Sequence, residues 1–197
     1  MTRLVETTIA EDVLRGACEG EERAQAILYA AVAPGAFALI RRLAGSRAQA
    51  EDLFQDTMLT VYQRLQAFRG EAPIGAWVRQ IAVSRCLMYL RSPWHRARLS
   101  LGPADVDDDG PADYDRLLPP SPAPLAESVD IERALASLSP TARAVVWLFE
   151  VEGYSHEEIA LSFGRSVSFS KSQLARAHLK LRQWFEPTVD RQPCTPI

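Results

Sequence analysis

The sequence predicts an all-α protein, and three observations support that fold class. Apolar residues recur at i, i+3 and i+4 along most of the chain, which is the period of an amphipathic helix. Valine and isoleucine rarely alternate with polar residues, as they would in half-buried strands. Hydrophobic residues make up 47% of the 197 residues, which is enough to fill packed cores.

Composition divides the chain into four parts, two of them helical. The helical domains are predicted over residues 9–91 and residues 127–186. Between them lie residues 92–126, whose stretch 102–126 is rich in proline and carries a net charge of about −5. Proline blocks helix formation and like charges repel, so this segment is predicted to be a flexible acidic linker. Residues 187–197 are expected to form a loose tail.

The first domain contains clear helix starts. Ser46 and Gln49 have the spacing of a capping box, so we expect a helix to begin there. Pro73 suits the first turn of the next helix. The core-facing stripe of the first of these helices consists of Phe54, Met58, Val61 and Leu65.

The opposite face of that helix is acidic. Asp52 and Asp56 lie one turn apart, beside Glu51, Gln55 and Leu59. Like charges at this spacing weaken an isolated helix by roughly 0.2–0.5 kcal/mol. The face is either a solubilising surface near a helix N-terminus, where acids are favoured, or a docking surface for a basic partner. The spacing alone does not separate the two interpretations.

A long acid-free run follows. Residues 72–104 contain no aspartate or glutamate and hold five arginines, for a charge of about +5. The aromatic side chains near or within this run are Phe68, Trp77, Tyr89 and Trp94. Unstacked bases bind to aromatic rings beside arginines, so the whole run favours a nucleic-acid surface over solvated arginines. Trp77 taken alone is better explained as a core residue.

The second domain contains a helix-turn-helix pattern. Ser139 and Pro140 begin a helix that should end at Gly153 and pack behind the motif. The first helix of the motif starts at the capping box of Ser155 and Glu158. The residues that mark the turn and the apolar side of the next helix are Gly164, Ser166, Val167, Leu174, Ala177 and Leu181.

Charge favours DNA binding by the second helix of this motif. Residues 159–185 contain no acid and carry about +5, in a chain whose net charge is −3. Phosphate repels carboxylates, so a surface that lies on DNA should lack them. The alternative is an amphipathic hairpin with a solvated basic face. The negative total suggests that a larger partner assists DNA binding.

Several function classes find no support in the sequence. No run of eighteen apolar residues and no signal-peptide core are present, so we expect a cytoplasmic protein without membrane insertion. No nucleophile–base pair, glycine-rich phosphate loop or metal cluster is visible, so neither catalysis nor a cofactor is expected. The residues that could otherwise suggest such chemistry are scattered: Cys18, Cys86, Cys194, His95, His156 and His178.

Together the two helical blocks resemble a bacterial RNA polymerase sigma factor of the extracytoplasmic-function (ECF) class, within the sigma-70 family. Residues 50–91 are similar to the family's domain two, which binds polymerase and opens the −10 promoter element. Residues 135–182 are similar to its domain four, which reads the −35 element. The resemblance implies core RNA polymerase and promoter DNA as partners, and an anti-sigma factor as a restraint.

The resemblance also implies roles for individual residues. Those implied to bind core polymerase are Glu51, Asp52, Leu53, Gln55 and Asp56. Those implied to bind the −10 element are Phe68, Arg69, Trp77, Arg79, Ser84 and Arg85. Those implied to bind the −35 element are Arg165, Ser168, Phe169, Lys171, Ser172, Gln173, Arg176 and Lys180.

The chain departs from the family pattern at a few of these positions. Val83-Ser84 stands where Arg-Asn is common, and Met88 stands where aspartate is usual. Phe169-Ser170 replaces a common Thr-Val pair, and Gln173 replaces a common arginine. Glutamine can pair bidentately with adenine, where arginine favours guanine, so the resemblance implies the class of protein and not the exact promoter bases. A stand-alone helix-turn-helix regulator is the alternative, but it would need the first domain to sense or dimerise.

Overall fold

The computed structural model describes residues 4–44, 46–92, 131 and 133–185, and within them every regular element is helical. The predicted all-α fold class is confirmed. Most of the predicted linker and the whole of the predicted tail lie outside the described residues. We refer to residues 4–92 as the N-terminal unit and to residues 133–185 as the C-terminal unit.

Four α-helices form the N-terminal unit: α1 (Glu11–Glu19), α2 (Glu22–Leu43), α3 (Arg47–Arg64) and α4 (Ile74–Arg91). Short 3-10 turns occupy Leu4–Glu6 and Leu65–Ala67. The C-terminal unit contains α5 (Pro140–Val146), continued by a π-helical turn (Trp147–Val151), then α6 (His156–Phe163) and α7 (Val167–Phe185). Residues 133–136 are also helical.

The predicted helix starts agree with the structure. The Ser46 hydroxyl accepts a hydrogen bond from the Gln49 N–H at 3.3 Å, which caps α3. The reciprocal half of that capping box is absent, because the Gln49 Oε1 has no hydrogen-bond partner. In contrast, Ser155 and Glu158 form the complete box at the start of α6, with hydrogen bonds of 3.1 and 2.8 Å. A cap of this kind stabilises a helix by about 1 kcal/mol.

One core of the N-terminal unit lies among α1–α4 and includes three of the four residues predicted to face the core from α3. Phe54, the fourth, is partly buried against it. The N-terminal segment closes one end of this core, because the Gly75 N–H donates to the Thr7 carbonyl at 3.0 Å. A Cβ at Gly75 would overlap the Leu4 carbonyl, so the close approach requires glycine there. The larger members of the core are Leu28, Val32, Met58, Val61, Leu65, Ile74 and Val78.

The helix α2 is long and apolar enough to cross a membrane by length and composition, and no other described helix is. In the folded chain it packs against α1, α3 and α4. Leu28, Val32, Ala36 and Ile40 on its inner side are each 0% exposed. The apolar character of α2 is accounted for by its place in the core.

A second core is continuous between the two units. Two sequence-distant domains were expected, and the structure shows them packed on one another, with α4 against α6 and α2 against α5. The buried side chains that meet there include Leu39, Ile40, Leu43, Val83, Leu87 and Leu90 from one unit and Leu138, Val145, Leu148, Ile159 and Phe163 from the other. Burial of this apolar surface stabilises the packed arrangement.

Polar contacts add to this interface. Arg143 is 6% exposed, and its Nη2 donates to the carbonyl of Ala44 at 2.9 Å. Ala44 is the C-cap of α2, so the guanidinium meets a carbonyl at the negative end of the helix dipole. The Arg42 guanidinium lies 4.8 Å from the centre of the Trp147 ring, a cation–π contact between the units.

Candidate nucleic-acid and protein-binding surfaces

An acidic stripe runs along the exposed side of α3. Asp52, Gln55, Asp56 and Leu59 lie at i, i+3, i+4 and i+7, and all four side chains are exposed. Leu59 is 59% exposed, so the stripe joins carboxylates to an apolar side chain. We call these four residues the α3 stripe. Leu59 is absent from the residues implied by the resemblance, although its helical spacing places it on the same face.

Two residues implied for this surface lie elsewhere. Leu53 is 7% exposed and belongs to the core shared by the two units, so it supports the stripe from beneath. Glu51 forms an ion pair with Arg47 at 2.8 Å, with both side chains about half exposed. Such an exposed i,i+4 pair contributes about 0.3–0.5 kcal/mol and leaves Glu51 available to a stronger partner.

Five of the six residues implied for the −10 element line one cleft of about 880 Å³: Phe68, Arg69, Trp77, Arg79 and Ser84. The ring centres of Phe68 and Trp77 are 5.4 Å apart, and both side chains are half-buried. Arg69 and Ser84 are exposed. Aromatic faces, guanidinium groups and a hydroxyl in one cleft suit an unstacked base and its phosphate.

Arg85 does not line this cleft. Its Nη2 donates to the Thr60 hydroxyl at 2.7 Å, and the Thr60 hydroxyl in turn donates to the Asp56 carbonyl at 2.7 Å. Arg85 therefore bridges α4 to α3. The Arg85 side chain is half-buried between α4, which lines the cleft, and α3, which carries the α3 stripe.

The C-terminal unit forms the other wall of the cleft. Residues from this unit that line it are Gly153, Tyr154, Glu158, Leu161 and Ser162. Arg79 crosses from α4 to this wall, where its Nη1 donates to the Glu152 carbonyl at 2.9 Å and to the Glu152 Oε2 at 3.0 Å. Its guanidinium also lies 4.9 Å from the centre of the Tyr154 ring. We call Arg79, Glu152 and Tyr154 the interdomain clasp.

The local structure aims Glu152 at Arg79. The π-helical turn widens the end of the helix, and the Glu152 N–H donates to the Trp147 carbonyl at 3.1 Å. The Trp147 Nε1 donates to the Glu152 Oε1 at 3.2 Å, which leaves Oε2 for Arg79. Burial raises the pKa of Tyr154, and the Arg79 guanidinium opposes that rise.

The helix-turn-helix of the C-terminal unit has the predicted geometry. Gly164 ends α6 in the left-handed region at φ 61°, where a residue with a Cβ is disfavoured. The Ser166 hydroxyl accepts from the Phe169 N–H at 3.4 Å just before α7. His156 of α6 reaches the Ser170 hydroxyl of α7 at 3.0 Å, and this contact fixes the two helices relative to one another.

One side of α7 presents an exposed polar and basic face. Ser168, Ser172, Arg176 and Lys180 follow at intervals of four residues, so they form one line along the helix. The residues of α7 and the preceding turn that were implied to bind the −35 element and are exposed are Arg165, Ser168, Lys171, Ser172, Arg176 and Lys180. We call these six residues the α7 face.

Phe169 and Gln173, also implied to bind the −35 element, are half-buried. The Phe169 ring centre lies 5.6 Å from that of Phe163, so Phe169 packs α7 against α6. The Arg165 guanidinium lies 6.0 Å from the centre of the Phe169 ring. The structure thus gives Phe169 a packing contact that its place in the family motif does not reveal.

Within the described ranges, no group of three or more histidine, cysteine, aspartate or glutamate residues could hold a metal ion. Cys86 is 1% exposed, and burial raises the pKa of its thiol to about 12, so the thiol stays protonated at neutral pH. The Cys18 thiol contacts the Leu65 carbonyl at 3.7 Å. Cys194 lies outside the described residues.

Both helical units are similar to known protein families. Residues 28–96 match the family Sigma-70 region 2, and residues 128–181 match Sigma-70, region 4. The ECF RNA polymerase sigma factor SigE of Mycolicibacterium smegmatis is 31% identical over 156 residues, which cover 75% of this chain and 56% of that protein. The ECF RNA polymerase sigma factor SigM of Mycobacterium tuberculosis is 31% identical over 144 residues, covering 73% of this chain and 67% of that protein.

The match therefore spans between about half and two thirds of the length of these relatives. Among solved structures, the sigma factor RpoE from Bartonella quintana, determined in complex with the anti-sigma factor NepR, has a TM-score of 0.54 to this chain. It is 23% identical, and the match covers 85% of this chain and 98% of that one, so the two share a fold. With both sigma-70 regions matched in order, the chain belongs to the sigma-70 family, in the ECF class.

Proposed function

We propose that this chain is an alternative sigma factor. It binds core RNA polymerase, recognises the −35 and −10 promoter elements, and starts transcription of a regulon that responds to stress or another signal. The observation that carries the proposal is the presence, in one chain, of the α3 stripe, the cleft and the α7 face. The similarity of the chain to ECF RNA polymerase sigma factors supports it.

The α3 stripe is the proposed polymerase contact. Asp52 and Asp56 present exposed carboxylates one turn apart, and Leu59 provides apolar area beside them. A basic partner surface would pair with the carboxylates through charge-assisted hydrogen bonds. Glu51 and Gln55 extend the contact, and Leu53 holds the helix in place from the core.

The cleft is the proposed −10 site. Phe68 and Trp77 offer ring faces to an unstacked base of the opened strand, because stacking tolerates any base. Arg69 and Arg79 lie where they would neutralise phosphates, and Ser84 offers a hydroxyl in place of the family's amide. Arg85 would act through the α3–α4 bridge.

The α7 face is the proposed −35 site. A recognition helix lies in the major groove with its side chains toward base edges and phosphates. Lys171, Arg176 and Lys180 supply the positive charges. Ser168 and Ser172 have short side chains, which would let the helix approach the DNA closely. Gln173 and Phe169 are half-buried, so we place them at the edge of this contact.

A restraining partner and a location follow from the same proposal. We propose an anti-sigma factor as a partner, because the RpoE chain that shares this fold was determined with one. Promoter DNA and polymerase place the activity in the cytoplasm. The apolar helix α2 is covered by α1, α3 and α4, so we propose that it does not enter a membrane.

A stand-alone helix-turn-helix regulator is the second candidate, because the α7 face is exposed in the free chain. Two observations weigh against it. The chain carries a net charge of −3, which opposes DNA binding without help. The cleft residues of α4 also have no role in a regulator that binds only duplex DNA.

In vitro transcription tests the proposal. Core RNA polymerase would be incubated with the chain and a pool of templates whose upstream DNA is randomised. We expect transcripts from a subset of templates that share two short sequence blocks at a constant spacing, and none with core enzyme alone. Absence of any transcription that depends on the chain would contradict the proposed function.

A further inference from the structure

The helix α7 buries three of its residues against the rest of the C-terminal unit: Ser170, Leu174 and Ala177. Leu174 and Ala177 make apolar contacts, which have no preferred direction. Ser170 is polar and 0% exposed, and it lies in the N-terminal half of the helix. In a helix-turn-helix, this half of the recognition helix contacts the base edges. The buried residue that anchors it here therefore carries a hydroxyl group.

The partner of Ser170 is His156, the first residue of α6. The His156 Nδ1 and the Ser170 Oγ are 3.0 Å apart. The hydroxyl donates to an unprotonated Nδ1 and accepts from a protonated one, so the pair stays bonded in either tautomer of the ring. A hydrogen bond restricts both the distance and the direction between its groups, which an apolar contact does not. The pair therefore sets how α7 is rotated relative to α6.

The His156 side chain is itself held in place from two sides. Its backbone follows the N-cap Ser155, whose complete capping box with Glu158 fixes the start of α6. Its ring stacks on that of Phe149 in the π-helical turn, with ring centres 4.4 Å apart and planes 20° from parallel. His156 is half-buried between these contacts. A side chain held in this way has little freedom to follow a displaced partner.

The geometry of α7 connects this pair to the α7 face. Successive side chains of a helix are about 100° apart around its axis, so Ser170 points about 200° away from both Ser168 and Ser172. Those two residues begin the line of exposed side chains that continues to Arg176 and Lys180. A contact that holds the inner side of α7 thus decides the direction in which its outer side points.

We propose that His156 is a positioning residue for recognition of the −35 element, a role that rests on the proposed function. It acts through Ser170 and not by touching DNA. The residues that bind a ligand must be held within about 0.5 Å and 10–20° of the productive geometry by the residues behind them. The hydrogen bond from α6 holds the α7 face at the orientation that base readout requires. Neither His156 nor Ser170 is among the residues implied to bind the −35 element.

Two replacements of His156 separate the hydrogen bond from the ring stack. His156→Phe keeps a ring that can stack on Phe149 and removes the nitrogen, which leaves the buried Ser170 hydroxyl without this partner. His156→Asn places an amide atom near the position of Nδ1 and removes the ring. We expect His156→Phe to lose discrimination at the −35 element and His156→Asn to retain most of it.

His178→Phe is the matched control. His178 lies on α7, its side chain is 47% exposed, and its Nε2 meets the Glu150 carboxylate of the π-helical turn at 3.1 Å. The variant therefore also removes a histidine contact between α7 and the residues that precede α6. Pairs between exposed groups contribute little, because water replaces the lost partner. We expect His178→Phe to discriminate as the unchanged chain does.

The complex of each full chain with core polymerase would be titrated onto two duplexes. One carries both sequence blocks selected by transcription, and in the other the −35 block is scrambled. We expect His156→Phe to lower the ratio of the two affinities on the order of tenfold. Affinity for the scrambled duplex should not change, because the cations of the α7 face stay exposed, whereas partial unfolding would lower both affinities. Equal ratios for His156→Phe and His178→Phe would overturn the proposal.

A double-mutant cycle on the full chain without polymerase tests the contact itself. The urea midpoint of unfolding would be measured for His156→Phe, for Ser170→Ala and for the two combined. We expect the second replacement to shift the midpoint less when the first is present, because no unpaired hydroxyl then remains. Additive shifts would overturn the proposal, whatever the DNA titrations show.

Ser170→Ala also serves as the second variant in the titrations. It removes the hydroxyl and leaves no unpaired group on α7, so it replaces His156→Phe, under the same criterion, if circular dichroism shows that His156→Phe has lost helix content. A non-additive cycle in a chain that shows no discrimination with core enzyme would contradict the proposed function and not the contact between His156 and Ser170.

Discussion

Combined replacement of Asp52 and Asp56 by lysine should abolish binding of the chain to core RNA polymerase and leave its helices folded. Both carboxylates are exposed on α3, so the change removes no core contact. Each charge-assisted hydrogen bond is worth about 1.5–3 kcal/mol, and the two together correspond to a loss of roughly two to four orders of magnitude in affinity. A pull-down with purified core enzyme measures the loss.

The matched control is the double variant Asp12→Lys, Glu19→Lys. Both residues are exposed on α1 and the net change in charge is the same. We expect this protein to bind core enzyme as the unchanged chain does. Equal binding by the α3 variant and the α1 variant would show that the α3 stripe is a solubilising surface and not a docking face.

The second large effect is expected at Arg176, near the middle of the α7 face. Arg176→Ala should weaken binding of the polymerase complex to the −35 element by about 1–3 kcal/mol if the side chain reads a base edge, and discrimination at one position should relax. If it contacts phosphate, the loss should be uniform across sequences and the salt slope should fall by about one. Titrations at several salt concentrations separate these contacts.

Arg182→Ala is the control for this prediction. Arg182 is exposed on the last turns of α7, and its replacement removes the same charge from the same helix. We expect a smaller loss, because it lies outside the α7 face. An Arg176→Ala protein that matches the unchanged chain in affinity, discrimination and salt slope would place Arg176 in solvent and shift the register of the proposed contact.

Much of the local structure could be predicted from the sequence because it depends on neighbouring residues. The capping box of Ser155 and Glu158, the start of α5 at Ser139 and Pro140, and the left-handed Gly164 all appear where the patterns placed them. A cap or a helix end involves atoms three or four positions apart. Spacing therefore contains the information that these features need.

The packing of the two units could not be predicted in the same way. Arg143 and Ala44 are separated by 99 positions, and Arg79 and Glu152 by 73, so no local period links them. The charge pattern predicts that Arg79 lies on a nucleic-acid surface, and the structure shows that it also pairs with Glu152 of the C-terminal unit. An arginine beside a distant glutamate has the same local sequence as a solvated one.

The burial of individual motif residues also could not be predicted from the sequence. Leu53 belongs to the same short motif as Asp52 and Asp56, but the helix turns it inward to 7% exposure. Phe169 lies in the recognition helix and packs on Phe163. A motif conveys which residues occur together, whereas only the packing shows which of them face a partner and which support the others.

Specific binding of the chain to promoter DNA should depend on core RNA polymerase. The chain, with and without core RNA polymerase, would be titrated onto duplex DNA carrying the two sequence blocks selected by transcription, and onto a scrambled duplex. We predict weak, salt-sensitive and nonspecific binding by the chain alone, and tight, sequence-specific binding with core enzyme. Tight and specific binding by the chain without polymerase would contradict the proposed function and favour a stand-alone regulator.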